Sequence, residues 1–205
     1  MFRDHDFLDA ATLSGAPSNS FSNNKGNGVS VFGDWVVTIE GATASSNTNN
    51  GLVIGTPYVA TTTTTHNLAN IQATLNGMHG LRLIAGEVRV RTGTFTNRFN
   101  ANGQYGIQLS VGDITGSARL ILDPKLTSSS GYALGHEAMR NGVGGVLLNQ
   151  AAPPATAPSS FSSLNASLNG AAAGSALANG IYVQVPGVNQ PSLVLRGCTL
   201  LQNTG

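Results

Sequence analysis

The chain has 205 residues, of which only 9% are charged, and its formal net charge is +1. Disordered chains combine high net charge with few branched apolar residues, so the recurrent Val, Ile and Leu of this sequence argue against disorder. A surface so poor in charge is also unusual for a free monomer, because charge keeps soluble proteins apart. We therefore expect neighbouring subunits to cover much of the surface.

The start of the chain, from Met1 to Phe7, is charged and no apolar run follows it. This does not fit a secretory signal peptide, which needs an apolar segment. No stretch approaches the roughly 18 to 20 apolar residues of a spanning helix. We expect a protein made in the cytosol, with no membrane association. The single Cys198 cannot form an internal disulfide, and we interpret it as a buried small residue.

Residues 1–28 are rich in Asp, Ser, Asn and Gly and show no periodicity. We predict an extended N-terminal arm, with which a subunit can attach to its neighbour. The remaining chain, 29–205, is predicted to be a single β-rich domain. In it the pattern apolar-x-apolar-x-Gly predicts short strands joined by tight turns. Its four copies begin at Val29, Val37, Val183 and Leu193.

The middle of the chain adds further strands and a loop. The segment 151–160 contains three prolines, which cannot donate to a central strand, and is predicted to be an exposed loop. Apolar runs predict the additional strands, at 51–54, 81–84, 106–111, 118–122 and 143–148.

Two short helices are also predicted. The first begins after Thr65, which can accept hydrogen bonds from free amides as an N-cap. The second runs from Tyr132 to Arg140 and is stopped by an Asn-Gly pair. One face of the first helix contains Leu68, Ile71, Leu75 and Met78.

The histidines do not form a recognisable metal site. They are scattered, with no spacing that gathers ligands on one face. His136 begins a sequence like the zinc-protease helix motif, but Arg140 stands where the second His is required. We interpret His136 as a turn or surface residue and predict no catalytic, cofactor or metal site. The four histidines are His5, His66, His79 and His136.

Acidic and basic residues offer one possible catalytic arrangement. Asp113 and Asp123 could face each other from neighbouring strands, as sugar-cleaving chemistry requires of two carboxylates. Arg89, Arg91 and Arg119 could then bind an acidic sugar. We favour the simpler interpretation that these five residues form the polar side of alternating strands.

One concentration of positive charge consists of Arg82, Arg89, Arg91 and Arg98. Alternate residues of a strand point the same way, so Arg89 and Arg91 could together contact phosphate. The net charge is near zero, however, and no aromatic stacking platform accompanies the arginines. We therefore expect no nucleic-acid partner and favour a contact between subunits.

Two segments of the chain are nearly repeated. Val37 to Thr43 matches Leu193 to Thr199, and Asn-Thr follows both at the same offset. Both segments resemble single coils of the right-handed β-helix of pectate-lyase-like proteins and viral tailspikes. More broadly, the charge-poor composition, rich in Gly, Asn, Ser and Thr, is similar to that of accessory structural proteins of tailed bacteriophages. This resemblance implies a virion protein that is synthesised in the host cytoplasm.

We predict a mainly β protein, with a sandwich or partly coiled β architecture and one or two short helices. Its predicted function is that of a non-enzymatic structural subunit of a phage virion, as a capsid decoration, neck or tail component. Its partners would be copies of itself and other virion proteins. One alternative is a subunit of a cellular surface filament. Another is a carbohydrate-binding or carbohydrate-cleaving β-helix domain, in which Asp113, Asp123 or Arg119 lines a groove with Trp35 as the available Trp.

Overall fold

The computed structural model describes residues 10–13, 19–32, 36–55, 65–84, 86–110, 118–124, 135–149, 159–170, 179–184 and 193–204. Within these residues the chain is mainly β, with seventeen strands and no helix. Every pairing between these strands is parallel.

The strands lie in three stacks, and each strand pairs with the equivalent strand of the next passage of the chain. We call one passage through the first, second and third stack a rung. Among the described residues, six rungs have strands in all three stacks, and a seventh has a strand in the first stack. Two long strands, β4 (Val36–Thr43) and β6 (Thr65–Gln72), each contribute to both the first and the second stack.

The other strands divide among the stacks in chain order. The first stack also contains β1 (Ala10–Leu13), β8 (Gly86–Arg91), β11 (Ala118–Asp123), β14 (Ser159–Ser162) and β17 (Leu193–Arg196). The second also contains β2 (Asn19–Ser20), β9 (Asn97–Arg98), β12 (His136–Glu137) and β15 (Leu164–Asn165). The third contains β3 (Val29–Phe32), β5 (Leu52–Gly55), β7 (Leu81–Leu83), β10 (Tyr105–Ser110), β13 (Gly144–Asn149) and β16 (Ile181–Gln184).

Apolar side chains that point between the stacks form a continuous core. Because side chains alternate along a strand, each strand contributes one inward row and one outward row. Burying one such large side chain stabilises the fold by about 1.5 to 3 kcal/mol. One row in the first stack is at most 1% exposed and follows the strand register through Ile39, Leu68, Val90, Leu122 and Phe161.

A ladder of asparagines joins all seven rungs at the corner between the second and third stacks. In every step the backbone N–H and the side-chain Nδ2 of one Asn both donate to Oδ1 of the next, over 2.9–3.1 Å. The five central members are at most 2% exposed. The ladder consists of Asn24, Asn47, Asn76, Asn102, Asn141, Asn169 and Asn203.

The backbone turns sharply at this corner. The residue immediately before each ladder Asn has a positive φ of 54–62°, and none of these residues is Gly. Such a conformation costs on the order of 1 kcal/mol or more and persists only where surrounding interactions impose it. The hydrogen bonds of the ladder impose it here. The residues are Asn23, Ser46, Leu75, Ala101, Arg140, Leu168 and Gln202.

A row of glycines packs against the ladder, four positions after five of its asparagines. A Cβ at Gly80 would lie 2.7 Å from the carbonyl oxygen of Gly106 and 2.9 Å from Nδ2 of Asn102. The neighbouring rungs are therefore too close for any side chain at this position. The row consists of Gly28, Gly51, Gly80, Gly106 and Gly145, so that Asn-x-x-x-Gly followed by an apolar strand marks a rung.

The helix predicted after Thr65 is wrong, because Thr65–Gln72 form β6 and Leu75 is 62% exposed at the ladder corner. Leu68 and Ile71 do both point inward, although they are three residues apart. The reason is Asn70, whose φ of 55° bends the chain between the first and second stacks and resets the alternation. The bend at Asn70 within β6 therefore explains why buried apolar residues occur at the spacing of a helix.

Other predictions of secondary structure had mixed outcomes. The five strands predicted in the middle of the chain are confirmed as β5, β7, β10, β11 and β13. The residues of the tight turns predicted after Val29–Phe32 and Val183–Gln184 lie outside the described residues, and β3 and β4, which the first of these turns would join, belong to different sheets. Of the second predicted helix, residues 132–134 lie outside the described residues, and His136–Glu137 form β12.

The predicted arm and loop are only partly described. Of residues 1–28, Ala10–Leu13 and Asn19–Ser20 pair with β4, and residues 21–28 form the first ladder corner. The remainder of that arm lies outside the described residues. The same holds for the loop predicted at 151–160, except that Ser159 and Ser160 belong to β14.

The two nearly repeated segments occupy equivalent places in the second and the seventh rung. Gly41 and Gly197 both bend the chain between the first and second stacks, with φ values of 71° and 58°. Asn47 and Asn203, six residues later, are both members of the ladder. The repetition in sequence is therefore a repetition of one rung.

We expect Asn102→Ala to lower the free energy of unfolding by about 3 kcal/mol, because it removes the acceptor of the buried Asn76 backbone N–H and the side-chain donor to the Ala73 carbonyl. Urea denaturation followed by circular dichroism measures this loss. The control is Asn24→Ala at the exposed end of the ladder, for which the expected loss is below about 1 kcal/mol. Equal losses of unfolding free energy in the two variants would contradict the expectation that the buried part of the ladder contributes more to stability than its exposed end.

Gly80→Ala is expected to destabilise the protein by about 3 kcal/mol, since the new Cβ would press on two backbone carbonyls at 2.7 and 2.8 Å. Gly26→Ala is the matched control, because its Cβ would meet no atom within 4 Å. Thermal unfolding of both variants tests the prediction. It fails if Gly80→Ala melts at the same temperature as Gly26→Ala.

Candidate functional site

The outward face of the first stack brings together most of the charged residues that the sequence singled out. Nη1 of Arg119 lies 2.9 Å from Oε2 of Glu87, and Nε of Arg89 lies 3.5 Å from Oδ2 of Asp123. Because these side chains are partly exposed, each ion pair contributes less than about 1 kcal/mol. Arg89 and Arg119 thus contact carboxylates of neighbouring rungs. Asp113 lies outside the described residues, so its predicted proximity to Asp123 stays a prediction.

The four arginines grouped by sequence do not form one patch. Arg82 lies on β7 in the third stack, whereas Arg89 and Arg91 lie on β8 in the first. Arg98, on β9, forms an ion pair with Glu137 of the next rung, at 3.2 Å from Nε to Oε2. The positive charge is therefore distributed over different sides of the molecule.

Three histidines are buried, and the interpretation of His136 as a turn or surface residue is wrong because it is 1% exposed on β12. Burial lowers the pKa of His136 to about 4, although a hydrogen bond to the backbone of Asp123 opposes this effect. Burial also lowers the pKa of His66, whose Nδ1 accepts from the Val37 N–H at 3.2 Å. No group of three or more His, Cys, Asp or Glu among the described residues could hold a metal ion.

His79 belongs to a second, shorter ladder beside the asparagine ladder. The His79 N–H donates to Oδ1 of Asn50, and Nδ1 of His79 accepts from the Tyr105 N–H at 3.3 Å. Asn50 donates in the same way to Asn27 one rung earlier, so His79 stands where the two preceding rungs have Asn. Burial, followed by the nearby charge of Arg82, lowers the pKa of His79 to about 4.

Cys198 occupies the same position in its rung as Ala42, as the sequence match predicts. Its side chain is only half-buried, however, so the interpretation as a buried residue is wrong. Sγ donates to the Phe161 carbonyl at 3.4 Å. The exposure follows from its place on the last rung, which has no further rung above it among the described residues.

A short loop, Thr92 to Thr96, separates β8 from β9 and protrudes over the corner between the first and second stacks. The equivalent strands of the two preceding rungs, β4 and β6, pass this corner without interruption. The N–H of Phe95 donates to Oδ1 of Asn70, and Nε2 of Gln72 donates to the Thr96 carbonyl. These two hydrogen bonds hold the loop on the preceding rung.

A hollow lies on each side of this loop. The first, of about 440 Å³, opens on the first stack, and the second, of about 410 Å³, opens on the second stack. The polar residues of the first are Thr38, Glu40, Asn67, Arg91 and Thr92. The second is lined by Thr43, Asn70, Gln72, Thr94, Thr96 and Arg98, together with Phe95, which is 50% exposed.

Of these lining residues, the sequence analysis singled out Arg91 and Arg98 and missed the others. Gln72 was placed in a helix, and Phe95 belongs to a loop whose position depends on the rung below it. The sequence nevertheless contains an indication of this loop, because the strand pattern of Val88 to Arg91 is followed by Thr-Gly-Thr-Phe-Thr before the ladder residue Asn102. Trp35, the aromatic residue proposed for a carbohydrate groove, lies outside the described residues.

We expect His79→Asn to reduce the acid sensitivity of the fold. The unfolded histidine has a pKa of 6.5 and the folded one about 4, so stability is lost as the pH falls from 6.5 towards 4. At pH 4.5 this loss amounts to about 2 to 3 kcal/mol relative to pH 7.5. Asn can still accept the Tyr105 N–H and does not titrate.

Urea denaturation at pH 7.5 and pH 4.5 measures this effect. The fall in unfolding free energy between the two pH values should be smaller in His79→Asn than in the wild type. The converse variant, Asn50→His, should show a larger fall because it adds a titrating group to the same ladder. An unchanged fall in His79→Asn would show that His79 does not contribute.

Comparison with known proteins adds no relative. No family model matches the chain, and no curated protein and no solved structure matches it. Among the residues that the structure describes, none belongs to a helix with the length and apolar character needed to cross a lipid bilayer. A functional assignment therefore depends on the geometry described above.

Proposed function

We propose that the chain is a non-enzymatic structural subunit of a large assembly and that its rungs wind into a parallel β-helix. The regular strand register and the asparagine ladder support a stiff, elongated body. Such a body suits a role in which surfaces must be held at a fixed spacing. Of the two architectures predicted from sequence, a sandwich and a partly coiled β architecture, we propose the partly coiled one.

One observation carries this proposal, namely the exposure of core-type residues on the last rung. Leu195 is 45% exposed, although its register partner Phe161 is fully buried. Leu200 follows Thr199, which pairs with Asn165, and is 42% exposed where the preceding rung has the buried Ala166. In the first rung, by contrast, Val29 is only 3% exposed. Association through the last rung would bury this apolar surface.

Hydrogen-bonding groups at the same end support association as well. Among the described residues β17 and β16 are the last strands of their sheets, so each presents an edge there to which another strand can be added. The ladder runs in one direction, and Asn203, its last member, is the donor for a rung that would follow. Between Leu193 and Thr204 the single charged residue is Arg196, which limits repulsion between two copies. We therefore propose a second copy of the chain as the occupant.

The setting that we propose is a bacteriophage virion, where the chain would act as a capsid decoration, neck or tail component. The low charge and the abundance of Gly, Asn, Ser and Thr support this setting through the compositional resemblance noted above. Other virion proteins would then be partners beside the second copy.

Replacing Leu195 and Leu200 together by Glu is expected to abolish self-association, because it places charge on the surface that would be buried. Sedimentation velocity over a range of protein concentrations measures this. The wild type should form dimers or larger species, whereas the double variant should remain monomeric. Leu75→Glu is the control, since Leu75 is 62% exposed at a corner far from the last rung and should leave association unchanged.

Two results would contradict the proposal. A wild-type chain that stays monomeric at millimolar concentration would exclude a second copy as the occupant. Phage particles purified from a lysate that expresses the chain should contain it in stoichiometric amounts by mass spectrometry. Particles without the chain would exclude the virion setting.

A further inference from the structure

The two ends of the hydrophobic core differ in exposure. In the third stack one inward row follows the strand register from Val31 on β3 to Val183 on β16. Val31 is 7% exposed, whereas Val183 is 40% exposed. Both residues belong to the outermost described strands of the same sheet, so they are directly comparable. In this stack the apolar core is therefore covered at the first rung and accessible at the last.

The other two stacks are accessible at the same end. In the first stack, Leu195 is 45% exposed on β17. In the second, the inward row passes through Ala138 and Ala166, both fully buried, and ends at Leu200, which is 42% exposed. A larger side chain thus stands on the last rung where the two preceding rungs have alanine. All three sides of the last rung therefore present apolar residues of core rows.

The exposed edge of the last rung is a spiral step rather than a flat surface. The chain passes through the three stacks in turn while it rises by one strand spacing of about 4.8 Å per rung, so successive stacks differ in height by about 1.6 Å. Among the described residues the third stack ends with β16 in the sixth rung, whereas the first ends with β17 and the second with Thr199 in the seventh. The edge is therefore lowest at the third stack and highest at the second.

We propose that two copies of the chain associate last rung to last rung around a two-fold axis, which gives a closed dimer. This inference rests on the self-association proposed above and adds which surface of the second copy takes part. An axis through the middle of β17 and the opposite corner of the body exchanges the second and third stacks of the two copies. The highest part of one edge then faces the lowest part of the other, so all three pairs of edges stand one strand spacing apart.

A head-to-tail arrangement, in which the last rung meets the first rung of another copy, fits the structure less well. It would continue the asparagine ladder from Asn203 to Asn24. It would also leave one strand missing between β16 and β3 and place Val183 against a core end where Val31 is already covered. Water can satisfy the donors of an exposed corner, whereas the apolar surface is buried only by association with another apolar surface. The apolar residues therefore favour the two-fold arrangement.

The alternation of side chains selects the register in which β17 meets its copy. Directly opposite residues of antiparallel strands point to the same face, so Leu193 must lie opposite Leu195 of the second copy if both leucines are to be covered. The outward residue Val194 then lies on the axis, with about 4.5 to 5.5 Å between its Cα and that of its own counterpart. Arg196 is two residues from the axis, so the two guanidinium groups are about 14 Å apart along the strands.

The test is disulfide cross-linking through a single cysteine on β17. Val194→Cys in a Cys198→Ala background should form a covalent dimer on mild oxidation, because a residue on a two-fold axis meets its own counterpart within disulfide range. Ser160→Cys in the same background is the matched control. Ser160 pairs with Val194 one rung earlier in the same outward row, so its two copies would be about 14 Å apart, too far for a disulfide. Non-reducing electrophoresis should show at least tenfold more dimer for Val194→Cys.

Sedimentation velocity of the unmodified chain separates this inference from the self-association on which it rests. We expect a dimer that grows no further as the protein concentration is raised. Species that grow steadily with concentration would indicate head-to-tail association and overturn the two-fold arrangement alone. Equal cross-linking of Val194→Cys and Ser160→Cys, or association of a folded Val194→Cys chain without cross-linking, would do the same. A chain that stays monomeric at millimolar concentration would overturn both proposals.

Discussion

The fold depends on one repeated hydrogen-bonding arrangement, in which a single amide oxygen accepts from both the backbone and the side chain of the preceding rung. Both donors would be costly to bury without a partner. Because the acceptor belongs to a residue that is itself a donor to the next rung, each asparagine determines the height and the orientation of its neighbour. This arrangement therefore sets the register of the parallel strands on either side of the corner.

The ladder also explains conformations that would otherwise be unfavourable. A non-Gly residue with positive φ precedes each asparagine, and a glycine follows five of them where the rungs approach most closely. The same logic extends to two of the buried histidines, His66 and His79, whose Nδ1 atoms accept from backbone amides of adjacent rungs. The ladder asparagines and these two histidines are thus hydrogen-bonded between rungs, and the cost of their burial is offset collectively.

The sequence predicted the third-stack strands well, because Leu52, Leu81 and Val146 begin apolar runs directly after the glycine row. The prediction was wrong at β6. There the bend at Asn70 turns Leu68 and Ile71 to the same side although they are three residues apart, which is the spacing expected of a helix. The rungs escaped detection because successive ladder asparagines are 23 to 39 residues apart. The hollows beside the loop Thr92 to Thr96 and the buried histidines could not be predicted, since their neighbours belong to other rungs.

Successive ladder asparagines are separated by different numbers of residues, which affects how the sequence can vary by insertion and deletion. Every rung returns to the same asparagine contact, so an insertion elsewhere in a rung does not shift the pairing of the rungs that follow. Errors in strand register are corrected once per circuit and do not accumulate along the molecule. Surface loops can therefore diverge in length and chemistry independently of one another, while the scaffold that presents them remains unchanged.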